Sequence, residues 1–261
     1  MSLRPAIAEL ERIAADHWRA GDRAVLGEWL LRAAGGFTGR ANSALPLGDP
    51  GMPLAEAVDA VGAWYQSRGL PAMIVIPGPL RAAGAASPAP PWGPLDDLLA
   101  ARGWAIRSGP AVVMTAAIAD LPRPPAGVPV AMAAEPDSDW LALHRYRGQP
   151  LPADARRLLL SAPWQAFGTV RRDGQAAAVG RVSVAAGWAA ITAVEVAAAH
   201  RRGGLGTTVT SALAQEAGRR GADRVFLQVE DGNTAARALY ARCGFRDAHG
   251  YHYRVASAAP R

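Results

Sequence analysis

The chain has 261 residues and a formal net charge of +6, and arginine alone supplies its basic side chains because no lysine occurs. Half of the residues are hydrophobic, enough for one large or two small cores, but no apolar run is long enough to cross a bilayer. The single cysteine, Cys243, excludes an intrachain disulfide, and the first five residues lack the apolar segment of a signal peptide. These features predict a cytoplasmic protein.

The first 120 residues alternate between helical and extended patterns, with glycine and proline at the boundaries. A loop rich in proline, alanine and glycine is predicted over residues 77–94, and a stiff linker over residues 121–127. Helices are predicted over residues 5–20, 53–68 and 95–102, and strands over residues 28–32, 41–45, 72–76, 104–108 and 112–116.

The second half contains an antiparallel meander, with Asp173-Gly174 as one hairpin turn. The basic segment 145–149 favours acceptor molecules that carry a carboxylate. Strands are predicted over residues 128–132, 165–171, 176–184, 188–196, 224–229 and 251–254. One helix is predicted after residues 135–138 and holds Trp140, Leu141, Leu143 and His144. Further helices are predicted over residues 153–160, 205–220 and 234–242.

A glycine-rich turn joins the strand 188–196 to the helix 205–220. It reads Arg201-Arg202-Gly203-Gly204-Leu205-Gly206. Helix starts expose backbone N–H groups that bind anions, and residues without Cβ let an anion approach closely. Successive N–H groups in such a turn form a concave anion site. On these residues alone, a phosphate site and a plain tight turn are equal alternatives.

A second motif follows the strand 224–229. Asn233 is placed to cap the helix 234–242. Tyr240 lies two turns beyond Asn233 on a similar side of that helix, whereas Leu239 and Cys243 lie on the side that faces the core. The helix is therefore expected to point a phenol out of one face. Cys243 is interpreted as a small buried residue rather than a reactive thiol.

Together the two motifs resemble the GNAT superfamily of N-acetyltransferases. The turn is similar to the family's Arg/Gln-x-x-Gly-x-Gly/Ala pyrophosphate motif, and residues 233–245 resemble its later Asn-x-x-Ala-x-x-x-Tyr-x-x-x-Gly-Phe motif. The resemblance covers residues 128–256. It implies an α/β (α+β) fold, with a mixed, mostly antiparallel twisted sheet flanked by helices. It also implies acetyl-CoA as donor and an amine as acceptor, without a metal.

The resemblance also implies roles for single residues. Val194 and Val196 would pair with the pantetheine arm like an added strand, and the N–H of Val196 would stabilise the oxyanion. Tyr240 would protonate the leaving thiolate as general acid, and Asn233 and Ala236 would contact the cofactor. The residues implied at the pyrophosphate are Arg201, Arg202, Gly203, Gly204, Leu205, Gly206 and Thr207.

The general base is the least defined part of this site. Glu195 lies between Val194 and Val196, and strict alternation would send its side chain to the opposite face. A bulge could instead turn it into the acceptor cleft. The family often carries an acidic base further upstream, where this chain has Ala189 to Thr192. Glu195 is therefore either the base or amine anchor, or a structural carboxylate with water as the only base.

The first half repeats part of the second. Leu98-Leu99-Ala100-Ala101-Arg102-Gly103-Trp104 parallels Leu239-Tyr240-Ala241-Arg242-Cys243-Gly244-Phe245. This predicts a degenerate GNAT-like domain over residues 1–120, a linker over 121–127 and a catalytic domain over 128–261. A helix stop at glycine that arose independently in each half is the alternative.

The predicted first domain lacks the residues expected to bind the donor. The counterpart of the glycine turn is the segment 47–53. In it Pro50 and Pro53 have no N–H, and Asp49 would repel a phosphate. Leu99 stands at the place of Tyr240. We therefore expect this half to support the structure or to shape the acceptor site.

The sequence predicts an enzyme that moves acetyl from acetyl-CoA to a primary amine by direct attack in a ternary complex. A catalytically inactive acyl-CoA-binding or regulatory protein is the first alternative. A nucleic-acid-binding module is the second, although the arginines are scattered and lack interleaved aromatic residues. No metal is expected, because the histidines show no ligand spacing with acidic residues. They are His17, His144, His200, His249 and His252.

Overall fold

The computed structural model describes residues 6–80, 92–145, 149, 151–152 and 155–256. The chain divides into two compact units. One comprises Met1–Val113, Glu230–Gly232 and Ala248–Arg261, and the other comprises Met114–Val229 and Asn233–Asp247. Most of the last strand therefore belongs to the first unit. The functional division at the linker 121–127 stays a prediction.

The first unit contains an antiparallel meander, in which β1 pairs with β2 and β2 with β3. In the same unit, β4 and β5 each pair antiparallel with β12. The strands are β1 (Asp22–Leu26), β2 (Trp29–Ala33), β3 (Leu45–Pro46), β4 (Met73–Gly78), β5 (Ala105–Ile106), β6 (Ala111–Ala117), which continues into the second unit, and β12 (Arg246–Val255). The helices are α1 (Ile7–His17), α2 (Leu54–Gln66) and α3 (Gly93–Ala101).

A parallel crossover follows this meander. The N–H of Ala44 donates to the carbonyl of Met73 at 2.8 Å, and the N–H of Val75 donates to the carbonyl of Ala44 at 3.0 Å. The chain returns from β3 to β4 through α2, whose Val61 and Tyr65 are completely buried. A helix is the usual way to connect two parallel strands.

The order β8, β9, β10, α6, β11 and α7 in the second unit matches the order β1, β2, β3, α2, β4 and α3 in the first. Neighbouring strands from β7 to β10 pair antiparallel, and β10 pairs parallel with β11. The strands are β7 (Ala131–Ala133), β8 (Trp164–Arg172), β9 (Gln175–Ala185), β10 (Trp188–Val196) and β11 (Arg224–Glu230). The helices are α4 (Ser138–Leu143), α5 (Ala155–Leu159), α6 (Leu205–Arg219) and α7 (Thr234–Arg242).

The core of the second unit is packed closely enough to require glycine in a strand. A Cβ on Gly180 of β9 would lie 2.8 Å from Val209 and from Leu213 of α6. Trp140 is completely buried, and its ring meets that of Phe167 edge-on at 5.2 Å. These contacts hold α4 and α6 against the sheet on which the site is built.

The crossover helices of the two units end in the same way. After α2, the N–H of Leu70 donates to Tyr65 at 3.1 Å, with Gly69 at φ 64°. After α6, the N–H of Ala222 donates to Ala217 at 3.1 Å, and Gly221 has φ 84°. A residue in the left-handed conformation is a common way to stop a helix, and glycine adopts it without strain.

The final helices of the repeat also match. The N–H of Trp104 donates to Leu99 at 2.9 Å after α3, and that of Phe245 donates to Tyr240 at 3.0 Å after α7. Gly103 and Gly244 have positive φ, and both aromatic side chains are buried. The sequence repeat thus corresponds to the same hydrogen bonds after α3 and after α7.

The secondary structure predicted from the sequence differs from the structure at two places in the first unit. The predicted strand 41–45 is mostly wrong, because Gly39–Ala41 form a 3-10 turn. Asn42 then accepts hydrogen bonds from the N–H groups of Ala34 and Gly36 at 2.7 and 2.8 Å, so its side chain holds the turn. The strand β1 was not predicted.

Other boundaries shifted without changing the element type. β12 spans Arg246–Val255, whereas the sequence predicted residues 251–254. The predicted loop 77–94 overlaps β4 and α3 at its ends, and its residues 81–91 lie outside the described residues. The same holds for residues 146–148 of the basic segment and for the first two residues of the predicted helix 153–160. Among the residues described, no helix is both long and apolar enough to span a membrane.

Candidate active site

The glycine turn sets the backbone at the start of α6. Gly204 precedes the helix with φ 79°, and Arg202 also lies in the left-handed region with φ 64°. That region is uncommon for a residue with a Cβ. Alternating backbone conformations of this kind make successive N–H groups line an anion-binding concavity. The local backbone therefore favours the phosphate site over a plain tight turn.

The donors of this turn are open. No acceptor within the described part of the chain faces the N–H groups of residues 202–207. The next one, the N–H of Thr208, donates to Gly204 at 3.0 Å. Six consecutive donors beside the side chains of Arg201 and Arg202 suit an anion with many oxygen acceptors. The chemistry of these groups fits a diphosphate.

The three glycines of the turn have different reasons to lack a Cβ. A Cβ on Gly204 would meet nothing within 4 Å, and one on Gly203 would lie 3.4 Å from the carbonyl of His200. A Cβ on Gly206 would lie 2.7 Å from Leu239 of α7. Sequence reasoning assigned all three to the approach of an anion. For Gly206, packing of α6 against α7 is a sufficient reason.

The strands β10 and β11 separate where the site begins. Their parallel pairs run from Trp188 with Arg224 to Ile191 with Leu227. Both strands continue further, β10 to Val196. The last residues of β10 thus leave this pairing, and their edge can take an added extended segment.

A bulge lies at the same point of β10. Thr192 pairs with Arg181 and Glu195 with Val179, so Ala193 and Val194 together face Gly180. Ala193 has φ 55°. An extra residue re-aims the side chains that follow it. The sequence left this bulge open as an alternative, and the structure contains it.

The side chains of Val194 and Val196 lie on the side of β10 that faces α6. A Cβ on Gly180 would be 3.4 Å from Cγ2 of Val194, and a Cβ on Gly206 would be 3.8 Å from Cγ2 of Val196. Any pairing with a ligand would therefore use the backbone of these residues, as the family resemblance implies.

Glu195 is held by two donors. Nη2 of Arg201 lies 3.4 Å from its Oε1, and the N–H of Val196 also donates to its carboxylate. Burial raises the pKa of Glu195 above its ordinary value, and the contacts with Arg201 and Val196 oppose that rise. The side chain stays about 32% exposed. A carboxyl group with a raised pKa is a better proton acceptor near neutral pH.

Arg201 points towards β10 in this structure. Its Nε donates to the carbonyl of Val196 at 3.2 Å while Nη2 contacts Glu195. The sequence placed Arg201 beside the pyrophosphate, and its contact with Glu195 was not foreseen. The side chain is 62% exposed, so it is also accessible to a ligand at the turn.

Tyr240 is a protonated phenol on α7. Its ring packs edge-on against Phe245 at 5.9 Å and is partly buried, so the phenol points outward less than the sequence suggested. Burial raises the pKa of Tyr240, and Cys243 and Glu195 raise it further. The group can therefore donate a proton at physiological pH.

Asn233 and Cys243 stabilise the two ends of α7. The side-chain oxygen of Asn233 accepts from the N–H of Ala236 at 3.1 Å, which confirms the predicted cap. Cys243 is buried, burial raises its pKa, and its Sγ donates to Oγ1 of Thr207 at 3.9 Å. The thiol is therefore neutral and structural, as predicted.

A family model described as "Probable histone acetyltransferase Rv0428c C-terminal" matches residues 5–254. The chain belongs to this family of GNAT N-acetyltransferases. It is 32% identical over 95% of its length to the "Uncharacterized N-acetyltransferase YobR" of Bacillus subtilis, and it covers 98% of that protein. The two glycine-containing motifs thus identified the family correctly.

Solved structures share the fold of this GNAT chain. A GCN5-related N-acetyltransferase from Kribbella flavida has a TM-score of 0.70 at 21% identity, with 98% of both chains covered. A tandem GNAT protein from the clavulanic acid biosynthesis pathway has a TM-score of 0.61 at 14% identity, with 98% of this chain and 90% of that one covered. The predicted fold class, α/β (α+β) with sheets flanked by helices, is confirmed.

Two histidines have partners that sequence spacing did not reveal. His249 lies 2.7 Å from Glu11, with both side chains buried, and His252 lies 2.9 Å from Asp96. Glu11 and His249 are 238 positions apart, so no local pattern links them. Within the described ranges, no group of three or more His, Cys, Asp or Glu residues is placed to hold a metal.

Proposed function

We propose that the second half of this GNAT chain transfers acetyl from acetyl-CoA to a primary amine by direct attack in a ternary complex. The open N–H groups of residues 202–207, next to the free end of β10, carry this proposal. They suit a diphosphate and an extended arm at neighbouring places. Asn233 and Ala236, at the start of α7, would contact the same ligand.

The bound donor supplies a thioester carbonyl that an amine can attack. In this proposal Glu195 accepts the proton that the amine loses, since its raised pKa suits a base. The N–H of Val196 donates to the carbonyl oxygen as negative charge develops. Tyr240 has a raised pKa, which keeps its phenol protonated, and it gives its phenolic proton to the leaving sulfur.

Calorimetry with coenzyme A and a thiol-release screen test this proposal. We expect coenzyme A to bind and at least one class of primary amine to release free thiol from acetyl-CoA. Polyamines, aminoglycosides and peptides with lysine cover the main classes. Absence of binding would overturn the proposal. Binding without turnover on any amine would favour the inactive acyl-CoA-binding alternative.

We also propose that the first half is a degenerate copy that binds no acetyl-CoA. In its counterpart of the glycine turn, the N–H of Asp49 donates to Oε2 of Glu28 at 2.7 Å, and the N–H of Gly51 donates to Oδ1 of Asp49 at 2.8 Å. Pro50 and Pro53 have no N–H. Carboxylates of the same unit therefore occupy the donors that a phosphate would need.

Replacing Glu28 by alanine is expected to make the stability of the folded protein depend on an anion bound at the turn of the first half. The variant should lose about 1 kcal/mol of unfolding free energy, because the N–H of Asp49 loses its acceptor. Inorganic phosphate should restore part of this loss, and it should act less on the wild type. Thermal unfolding with and without phosphate measures both effects.

Glu56→Ala is the matched control for this substitution, because Glu56 is an exposed carboxylate in the first turn of α2. It should respond to phosphate as the wild type does. Equal stabilisation of all three proteins by phosphate would contradict the assignment of Glu28 as the anion of this turn.

As the pH is lowered, the rate of acetyl transfer is expected to begin to fall while the pH is still above 4.5, the ordinary pKa of glutamate. Burial raises the pKa of Glu195, and a base works only when it is deprotonated, so kcat/KM should fall about tenfold per pH unit below the raised value. Tyr240 should give no alkaline limb near neutral pH. Profiles of kcat/KM for the wild type and Glu195→Gln measure this. An acid limb that persists in Glu195→Gln would assign it to another group.

A further inference from the structure

The carboxylate of Glu195 is bound by the same two groups that acetyl-CoA would need. Nη2 of Arg201 contacts it at 3.4 Å, and the N–H of Val196 donates to it. In the proposed reaction, Arg201 lies beside the diphosphate and the N–H of Val196 faces the thioester carbonyl. Glu195 therefore competes with the donor for both groups.

Arg201 also occupies an acceptor on the free end of β10. Its Nε donates to the carbonyl of Val196 at 3.2 Å. That carbonyl belongs to the edge on which an extended arm would pair. The guanidinium of Arg201 thus links the free edge of β10, the carboxylate of Glu195 and the glycine turn.

We propose that Arg201 is a positioning residue that holds Glu195 until acetyl-CoA binds. The diphosphate of acetyl-CoA then binds Arg201, which frees Glu195 to turn towards the amine. This inference rests on the proposed acetyl transfer. It predicts that the donor binds before the acceptor, because the base is freed only once the diphosphate is in place.

The strengths of the contacts allow this exchange. The Arg201–Glu195 contact of 3.4 Å is near the upper limit for a hydrogen bond, and the arginine side chain is 62% exposed. Exposed ion pairs of this kind are weak. A diphosphate carries more negative charge and more acceptor oxygens than the carboxylate of Glu195, so it should bind the guanidinium of Arg201 more strongly.

Release of Glu195 should change its protonation. Arg201 from the turn contacts Glu195 and lowers its pKa, and the charge of Glu195 in turn raises the pKa of Tyr240 on α7. Coenzyme A carries the diphosphate but no thioester carbonyl, so it should take Arg201 and leave the N–H of Val196. Loss of the contact with Arg201 should raise the pKa of Glu195. Coenzyme A binding should therefore take up protons just above the pKa of the free protein.

Calorimetry with coenzyme A, which needs no turnover, tests the exchange. Glu195→Gln should bind coenzyme A about two- to fivefold more tightly than the wild type, because the competing charge is gone. Arg201→Gln should bind it more weakly. In the Arg201→Gln background, Glu195→Gln should have no further effect, because coenzyme A has no thioester carbonyl and does not compete with Glu195 for the N–H of Val196. Titrations in two buffers of different ionisation enthalpy should show proton uptake in the wild type and none in Glu195→Gln.

Arg202→Gln is the matched control. It removes the neighbouring charge of the turn, so it should weaken binding, yet Glu195→Gln should still tighten binding in that background. Unchanged affinity of Glu195→Gln, or an equal gain with and without Arg201, would overturn the exchange. Absence of coenzyme A binding in every variant would instead overturn the proposed function.

Discussion

Replacing Tyr240 by phenylalanine is expected to lower kcat for acetyl transfer by about 100-fold and to leave the affinity for coenzyme A unchanged. The phenol stays protonated because burial raises its pKa, and Cys243 and Glu195 raise it further. Phenylalanine keeps the ring that packs against Phe245 and removes only the proton donor. Thiol release at saturating acetyl-CoA gives kcat, and calorimetry gives the affinity.

Tyr253→Phe is a matched control, because it removes a phenol from β12 without touching α7. Its kcat should equal that of the wild type. Tyr240→Phe should unfold at a temperature close to that of the wild type, whereas Tyr253→Phe should unfold at a lower one, because its phenol also hydrogen-bonds to buried Tyr251. If Tyr240→Phe kept its full kcat, the leaving thiolate would have another proton source. A fall in coenzyme A affinity alone would make Tyr240 a binding residue.

The parts of the site that depend on local signals could be predicted from the sequence. Asn233 and Gly244 mark the two ends of α7 by themselves, because capping needs only neighbouring backbone groups. The hairpin at Asp173-Gly174 also follows from two residues that tolerate positive φ, which they have at 50° and 79°. The order of elements around the site was therefore correct.

The parts that depend on distant partners could not be predicted. The bulge at Ala193 exists only in the pairing of β10 with β9, and it brings Glu195 to Arg201. The sequence could name both orientations of Glu195 but could not choose between them. Arg32 is a similar case, since its buried side chain donates to Ser43, in a segment that the sequence treated as a strand.

The segment 47–53, the counterpart of the glycine turn in the first half, has a second contact that the sequence did not show. The unpredicted hairpin between β1 and β2 carries Gly27 and Glu28 at its tip. The N–H of Glu28 donates to the carbonyl of Asp49 at 2.7 Å, and the carboxylate of Glu28 accepts from the N–H of Asp49. The tip of the hairpin therefore fills the counterpart of the turn that is proposed to bind the diphosphate in the second half.

Gly27→Ala is expected to destabilise the protein by about 3 kcal/mol or more. A Cβ on Gly27 would lie 2.3 Å from the backbone carbon of Pro50 and 2.5 Å from the carbonyl oxygen of Asp49. Backbone atoms cannot move aside as a flexible side chain can, and φ is 56°, which adds strain for alanine. The free energy of unfolding in urea measures the loss.

Gly51→Ala separates the two causes of this loss. Gly51 also has positive φ, at 76°, but a Cβ there would come no closer than 3.9 Å to Gly27. It should therefore show only the conformational cost of about 1 kcal/mol. If the two variants lost equal stability, the close contact between the hairpin tip and the turn would not exist in solution. A clear excess for Gly27→Ala would mean that the first half keeps its turn closed with its own backbone, independently of the charge of Glu28.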